Sequence, residues 1–152
     1  MDNFDKKILQ ILQDDCTASL SEIAEQVGLT STPCWRRIQA LEASGVITKR
    51  VALANPEKLN VGLTVFVMVK TNQHNDKWLS EFANNIKDIP EIMEFYRLSG
   101  DVDYLLRVVV PDMKAYDKFY KKLINHADFS DISSSFAMEE LKFSTSLPVS
   151  YI

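Results

Sequence analysis

The fold of the N-terminal third is decided by residues 19–39, which read SLSEIAEQVGLTSTPCWRRIQ. Ser19 and Glu22 have the S-x-x-E spacing of a capping box, which predicts the start of a helix. Gly28 supplies the left-handed residue that ends this helix. The hydroxyl groups and the proline of residues 31–33 predict the start of a second helix. Two short amphipathic helices joined by such a tight turn form a helix-turn-helix.

Apolar side chains at helical spacing extend the prediction on both sides of this turn. A helix before the motif has a predicted buried face made of Phe4, Ile8, Ile11 and Leu12. The second helix of the motif has one made of Cys34, Ile38 and Leu41. Gly45 ends the second helix. Residues 46–53, VITKRVAL, then alternate and predict a short strand or hairpin, where a winged helix-turn-helix has its wing.

In a helix-turn-helix, the first residues of the second helix face base edges in the major groove of DNA. This position holds side chains able to read bases or bind phosphates: Ser31, Thr32, Trp35, Arg36, Arg37 and Gln39. Lys49 and Arg50 of the predicted wing would lie beside phosphates. Taken alone, the Arg36–Arg37 pair is more typical of a solvated helix face, and Trp35 is expected to be exposed or at an interface.

The distribution of charge favours DNA over the solvated face. The chain has 17 basic and 21 acidic residues and a net charge of −4, which excludes a protein that coats nucleic acid by bulk charge. Residues 36–50 nevertheless hold four basic residues against Glu42 alone. A local basic segment in an acidic chain is what binding in a DNA groove requires.

The second half alternates predicted strands and helices in the order βαββαβ. Strands are predicted at residues 62–70, 92–99, 104–110 and 132–143; Asp76 is predicted to cap one helix, and Pro111 and Asp112 to open another. This order is the split βαβ pattern of ferredoxin-like domains. We therefore predict an α+β protein, with a winged helix-turn-helix and linker strand over residues 1–60 and a βαββαβ domain over residues 61–152.

The first and third predicted strands are apolar on both faces. On the first strand, Val65 and Val67 point to one face while Phe66 and Met68 point to the other. Two helices cover only one face of such a sheet, and the other would be an apolar patch too large for a monomer. We expect a two-fold homodimer that pairs through its sheets. Its recognition helices would lie about 34 Å apart and bind a near-palindromic site in double-stranded DNA.

Residues 99–104, SGDVDY, allow three interpretations. The first is a hairpin turn, which favours Gly and Asp, and the residues alone favour this interpretation. In the second, Asp101 and Asp103 share one face of an extended chain and bind a cation or serve acid/base catalysis. In the third, a carboxylate binds the ammonium group of a small ligand, while backbone N–H groups of the Gly100 turn bind its carboxylate.

No constellation of catalytic or metal-binding residues is recognisable. His74 and His126 are the only histidines, Cys16 and Cys34 lack CxxC spacing, and no nucleophile–base pair is present. We expect no enzyme activity, no metal site and no cofactor. No apolar run approaches the roughly 18 residues of a membrane span, and the acidic start lacks a signal core. A cytoplasmic protein without a membrane partner is therefore expected.

Short motifs along nearly the whole chain together resemble one protein family. They are DxxIL at 5–9, SEIA at 21–24, VGLT at 27–30, TPC at 32–34, RIxxLE at 37–42, GxI at 45–47, NP at 55–56 and SGDxDYLL at 99–106. In this order and spacing they look like the Lrp/AsnC, or feast/famine, family of bacterial and archaeal transcription regulators. Each motif alone is weak, but the ordered set is highly specific.

This resemblance implies a winged helix-turn-helix followed by an effector-binding domain, and dimers that assemble into tetramers or octamers. It also implies a small effector, an amino acid such as leucine or a similar one, bound between subunits of neighbouring dimers. The family's pocket motif falls on Gly100, Asp101, Val102, Asp103 and Tyr104, with further pocket residues near Ser133 and Ser135. Its recognition helix falls on residues 32–43. Arg50 stands where the family commonly has an aromatic residue, and Trp35 and Arg36 replace aliphatic and acidic ones.

Two functions remain to be weighed. The first is a sequence-specific DNA-binding transcriptional regulator whose assembly or DNA affinity responds to a small effector. The alternative is a small-metabolite-binding or enzymatic oligomer that does not bind DNA, in which the N-terminal helices serve only protein contacts. The missing catalytic constellation favours the regulator.

Overall fold

The computed structural model describes residues 1–73, 75–125 and 129–152, which form two compact units. We call Met1–Leu53 together with Leu141–Ile152 the helical unit, and Ala54–Glu140 the sheet unit. Each unit has its own hydrophobic core, so each is described by itself.

Three helices build the helical unit: α1 spans Asn3–Asp14, α2 spans Leu20–Val27 and α3 spans Ser31–Ala43. Ser19 and Glu22 form the predicted capping box at the start of α2. Gly28 ends α2 in the left-handed conformation, with a φ of +74°. The buried residues of the three helices form one core: Ile8, Leu12, Ile23, Ala24, Val27, Cys34, Ile38 and Leu41.

The caps at the starts of two helices were not anticipated from the sequence. α1 begins at a capping box made by Asp2 and Asp5. α3 begins at Ser31 behind the N-cap residue Thr30, so Pro33 lies in the first turn and not at the first helical position. A proline fits there because amides of the first turn have no helical partner.

Arg37 joins α3 to the start of α1. Its Nη1 atom lies 2.8 Å from Oδ2 of Asp2 and 2.7 Å from Oδ1 of Asp5, and its guanidinium carbon lies 5.3 Å from the centre of the Phe4 ring. The backbone N–H of Asp5, and then Arg37, hold the pKa of Asp2 below its ordinary value. Its guanidinium is therefore engaged inside the helical unit, and the predicted contact of Arg37 with DNA would require it to leave these carboxylates.

The sheet unit has the predicted order of elements: β1 Leu63–Lys70, α4 Asp76–Ile86, β2 Ile92–Arg97, β3 Tyr104–Val110, α5 Met113–Ile124 and β4 Asp131–Phe136. All pairs are antiparallel, in the order β2-β3-β1-β4. Val65 and Val67 of β1 pack with Phe82 of α4 and Phe119 of α5, so both helices lie on one face of the sheet. Among the described residues, no helix has the length and apolar content needed to cross a membrane.

The opposite face of the sheet, which we call the open face, has both apolar and charged side chains. It consists of Thr64, Phe66, Met68, Glu94, Tyr96, Leu105, Arg107, Val109, Ser133 and Ser135. Phe66 is 36% exposed and Tyr96 is 50% exposed. Nη2 of Arg107 lies 2.9 Å from Oε1 of Glu94, and this contact lowers the pKa of Glu94.

Two strand predictions were wrong. Residues 46–53 form no strand with any described segment, because they lack the ladder of backbone hydrogen bonds to a neighbour that a strand requires. The last strand ends at Phe136 and not at residue 143, because the chain leaves the sheet and residues 141–152 join the helical unit. The division therefore differs from the predicted domains 1–60 and 61–152.

Replacing Arg37 by alanine is expected to lower the melting temperature of the helical unit, since Asp2 and Asp5 lose their cationic partner. The folded pKa of Asp2 lies below its ordinary value of 3.8, so its stabilising ionised form is present above that pH and is lost as the pH falls. The difference between wild type and Arg37→Ala should therefore shrink in acid, as followed by circular dichroism.

Arg36→Ala is the matched control, because the neighbouring Arg36 is exposed and forms no ion pair with any described residue. Its melting temperature should equal that of the wild type. Equal melting temperatures for Arg37→Ala and wild type at neutral pH would contradict the role given to Arg37.

Candidate nucleic-acid interface and ligand pocket

One side of α3 is exposed to solvent. Cys34, Ile38 and Leu41 are buried and fix the inner side of the helix. Of the six predicted groove-facing residues of α3, Arg37 is half-buried and five are exposed, namely Ser31, Thr32, Trp35, Arg36 and Gln39. The indole of Trp35 is 52% exposed, which is unusual for so large an apolar ring. The helix thus presents a guanidinium, an amide, hydroxyls and an aromatic ring on one surface.

The start of α3 has the electrostatics of an anion site. The side chain of Thr30 makes no hydrogen bond to the first turn of α3, so the backbone N–H groups of that turn remain available. The helix dipole adds partial positive charge at the same end. Arg36 lies one turn further along, exposed and without an ion pair among the described residues. A phosphate at this end of the helix would meet backbone donors and a full positive charge.

The basic segment after α3 is partly neutralised. Nη2 of Arg50 lies 2.9 Å from Oε1 of Glu42, and Nε2 of Gln39 donates a 3.0 Å hydrogen bond to the other carboxylate oxygen. Lys49 is exposed. Arg50 therefore has to exchange Glu42 for a phosphate before it can contact DNA, whereas Arg36 and Lys49 need no such exchange.

A small cavity of about 80 Å³ lies in the sheet unit where β2 ends, β3 begins and α4 starts. It is lined by Asn75, Asp76, Leu79, Arg97, Leu98, Asp103 and Tyr104. It combines the cationic side chain of Arg97 with the carboxyl groups of Asp76 and Asp103. Such a pair of opposite charges matches the two charged groups of an amino acid.

Asp103 is held firmly at this cavity. Its Oδ2 atom accepts a 2.9 Å hydrogen bond from the backbone N–H of Thr71, a buried residue. Its backbone N–H donates to the carbonyl oxygen of Val69 at 3.0 Å, and its carbonyl oxygen accepts from the N–H of Leu98 at 2.8 Å. These bonds fix the position of the carboxylate before any ligand arrives.

Tyr104 forms the inner wall of the cavity. Burial raises the pKa of its phenol above the ordinary value, although Arg97 acts in the opposite direction. The phenol therefore stays protonated at neutral pH and is a hydrogen-bond donor. Its ring centre lies 5.6 Å from that of Trp78 in α4, which fixes the orientation of the ring.

The predicted pocket residues do not all meet at this cavity. Gly100 and Asp101 are exposed in the turn between β2 and β3, Val102 is half-buried, and none of the three lines the cavity. Ser133 and Ser135 lie on the open face, while Ser134 between them turns to the helical side and shares a hydrogen bond with Tyr116. The motif thus supplies two lining residues, Asp103 and Tyr104.

The charged groups of Arg97 and Asp76 were not predicted from the sequence to line a pocket. Arg97 is at the end of a strand, and Asp76 was treated only as the start of a helix. The structure brings them together with Asp103 from three segments, residues 75–79, 97–98 and 103–104. The only local signal was a basic residue three positions before Gly100, close to a turn rich in aspartate.

Two family models match most of the chain. Residues 1–48 match a winged helix-turn-helix DNA-binding model, and residues 64–147 match the Lrp/AsnC ligand binding domain. The DNA-binding transcriptional activator DecR of Escherichia coli strain K12 is 49% identical over 98% of this chain and 99% of its own length.

Solved structures agree with this match over both units. The crystal structure of an AsnC family transcriptional regulator from Agrobacterium tumefaciens has a TM-score of 0.97 at 54% identity and covers 100% of this chain and 99% of its own. A transcriptional regulator from Neisseria meningitidis, solved in complex with L-methionine, has a TM-score of 0.94 at 36% identity. That alignment covers 99% of this chain and 98% of the other.

Proposed function

We propose that this chain, which belongs to the Lrp/AsnC family of transcriptional regulators, binds specific duplex DNA sites through α3 and responds to an amino acid. The main support is the exposed side of α3, because α3 lies within the residues that match a DNA-binding model. The named relatives are transcriptional regulators, so the alternative of an oligomer without DNA binding is not favoured.

Arg36 and Gln39 read base edges, and Trp35 contacts an apolar base group such as a thymine methyl. Guanidinium and amide groups form bidentate hydrogen bonds to guanine and adenine in the major groove, which supports these roles. Ser31 and Thr32 at the helix start, together with Lys49 and Arg50 after it, bind phosphates. Arg37 is excluded from this set because Asp2 and Asp5 engage it.

The effector is an amino acid whose carboxylate binds Arg97 and whose ammonium group binds Asp103, with Asp76 close by. The L-methionine complex of the Neisseria regulator supports this class of ligand. The cavity of about 80 Å³ is far below the roughly 300 Å³ of an ordinary ligand pocket, so it holds the charged groups and not the whole ligand. A second subunit completes the site, and Gly100, Asp101, Val102, Ser133 and Ser135 remain candidates for contacts at that boundary.

The open face pairs with the open face of a second copy. Phe66, Met68 and Leu105 supply the apolar area, and the Glu94–Arg107 pair is already satisfied within one chain. The hydroxyl of Tyr96 also donates to Glu94 at 3.1 Å, so this pair enters the interface with its hydrogen bonds made. A two-fold dimer of this kind presents two α3 helices to a near-palindromic site, and dimers associate further into tetramers or octamers.

We assign no catalytic reaction, metal or cofactor to this chain beyond the amino-acid effector, because its relatives are named as regulators. We place it in the cytoplasm, since a regulator of transcription acts where bacterial DNA is transcribed. An amino acid that binds only the folded state raises the melting temperature. A thermal-shift screen of the twenty amino acids, with L-methionine and L-leucine first, therefore identifies the effector.

Arg36→Ala and Arg97→Ala should have opposite effects. Arg36→Ala loses the exposed cation of α3 and should weaken operator binding about tenfold or more, while the amino acid still raises its melting temperature. Arg97→Ala should bind DNA as the wild type does but lose the thermal shift, because the carboxylate loses its partner. Gel shifts at matched salt and differential scanning fluorimetry measure the two properties, and each variant is the control for the other.

Unchanged DNA affinity in Arg36→Ala would refute the assignment of α3 as the groove-facing helix. An undiminished thermal shift in Arg97→Ala would refute the assignment of the cavity as the effector site.

Phe66→Lys is expected to convert the dimer into a folded monomer, because it puts a charge at the centre of the open face. Met113→Lys is the matched control, since Met113 is 59% exposed on α5 at the other side of the sheet. Multi-angle light scattering at micromolar concentration measures the masses. A wild-type protein that is already monomeric would rule out the sheet-to-sheet dimer.

A further inference from the structure

The C-terminal segment returns to the DNA-binding helices after passing through the effector-binding unit. Residues 141–152 belong to the helical unit, and a short 3-10 turn at Val149–Tyr151 lies beside α1. The helical unit is therefore connected to the sheet unit twice, once by the chain before residue 54 and once by the chain after residue 140.

Three hydrogen bonds fasten this segment to the end of α1. The Gln13 side chain accepts from the N–H of Leu147 at 2.8 Å and donates to the Leu147 carbonyl oxygen at 3.2 Å. The hydroxyl of Ser146 donates to Oδ1 of Asp14 at 2.6 Å. We call these four residues the tail clasp.

The tail clasp holds the segment mainly through polar contacts. The apolar side chains of Leu141 and Leu147 remain in solvent and are 86% and 75% exposed. A cavity of about 400 Å³ lies between the segment and α1, so the two surfaces are not closely packed. Net free energies of single exposed hydrogen bonds are small, so the clasp can open and close without unfolding either unit.

The segments that lead to the two connections, residues 54–62 and 137–140, join the sheet at the same end. β1 begins and β4 ends at the same end of the sheet, where Val65 is opposite Phe136 and the N–H of Ala137 donates to the Thr64 carbonyl oxygen at 3.0 Å. The effector cavity lies at the other end, where Val69 of β1 is opposite Tyr104. β1 and β4 therefore join the cavity end of the sheet to the end at which these two segments begin.

We propose that residues 141–152 are a second tether through which the effector acts on the DNA-binding helices, and that Gln13 and Asp14 are the positioning residues that close it. A unit held by one linker swivels freely, whereas two tethers restrict its orientation. An effector that binds better to the clasp-closed arrangement shifts the population towards it and changes operator affinity by the same differential binding. This inference rests on the proposed function.

Gln13→Ala in the full chain tests the tether, with Gln10→Ala as the matched control. Both replace an amide on α1 by a good helix former, but no hydrogen bond joins Gln10 to the tail among the described residues. Operator affinity is measured with and without a millimolar mixture of the twenty L-amino acids. Hydrogen exchange of the Leu147 amide reports whether the clasp is closed.

In the wild type and in Gln10→Ala, the amino acids should change affinity by the roughly 5- to 150-fold typical of coupled sites. In Gln13→Ala this ratio should fall towards one, while affinity without amino acids stays near the wild-type value and the Leu147 amide exchanges faster. If that amide remains protected, the double variant Gln13→Ala/Asp14→Ala removes the last bond of the clasp.

A full ratio in a variant whose Leu147 amide exchanges freely would overturn the tether and leave the proposed function intact. A ratio of one in the wild type would overturn the effector response itself, and the tether with it.

Discussion

The orientation of α3 about its own axis determines which of its side chains face solvent and can contact DNA. Cys34, Ile38 and Leu41 recur on one side of the helix and are buried against α1 and α2. A helix with one buried stripe has no freedom to turn, so Trp35 and Arg36 are committed to the solvent side. Arg37 strengthens the arrangement from the flank, since its ion pairs with Asp2 and Asp5 hold the start of α1 against α3. Packing in the core therefore selects which polar groups can meet DNA.

Local charge and net charge have different consequences in this chain. A net charge of −4 repels DNA at a distance, so affinity depends on short-range contacts made by a few cations. Two of the four basic residues between 36 and 50 are engaged within the chain, Arg37 by carboxylates of α1 and Arg50 by Glu42. Arg36 and Lys49 remain. Such a surface favours binding that depends on correct docking over binding by bulk attraction, which suits a regulator that has to distinguish sites.

Patterns of local origin were predictable from the sequence, and contacts between distant segments were not. The capping box at Ser19, the glycine turn at Gly28 and the βαββαβ order follow from neighbouring residues, and all are present in the structure. The ion pairs of Arg37 were not predicted because they join distant positions, and Asp5 lies 32 residues away in the chain. Arg97 was missed because the cavity is assembled from three separate segments. The contact of Gln13 with Leu147 joins positions 134 residues apart, and no periodic pattern in the sequence indicates it.

The fluorescence of Trp35 reports whether the exposed side of α3 contacts duplex DNA. The chain has two tryptophans, and Trp78→Phe leaves Trp35 as the only one while keeping an aromatic ring beside Phe82 and Tyr104. Titration with duplex DNA at low salt should change the emission of Trp35 in parallel with binding measured by anisotropy, and added salt should reverse both. Saturable binding of DNA with no change in the Trp35 emission would contradict the account.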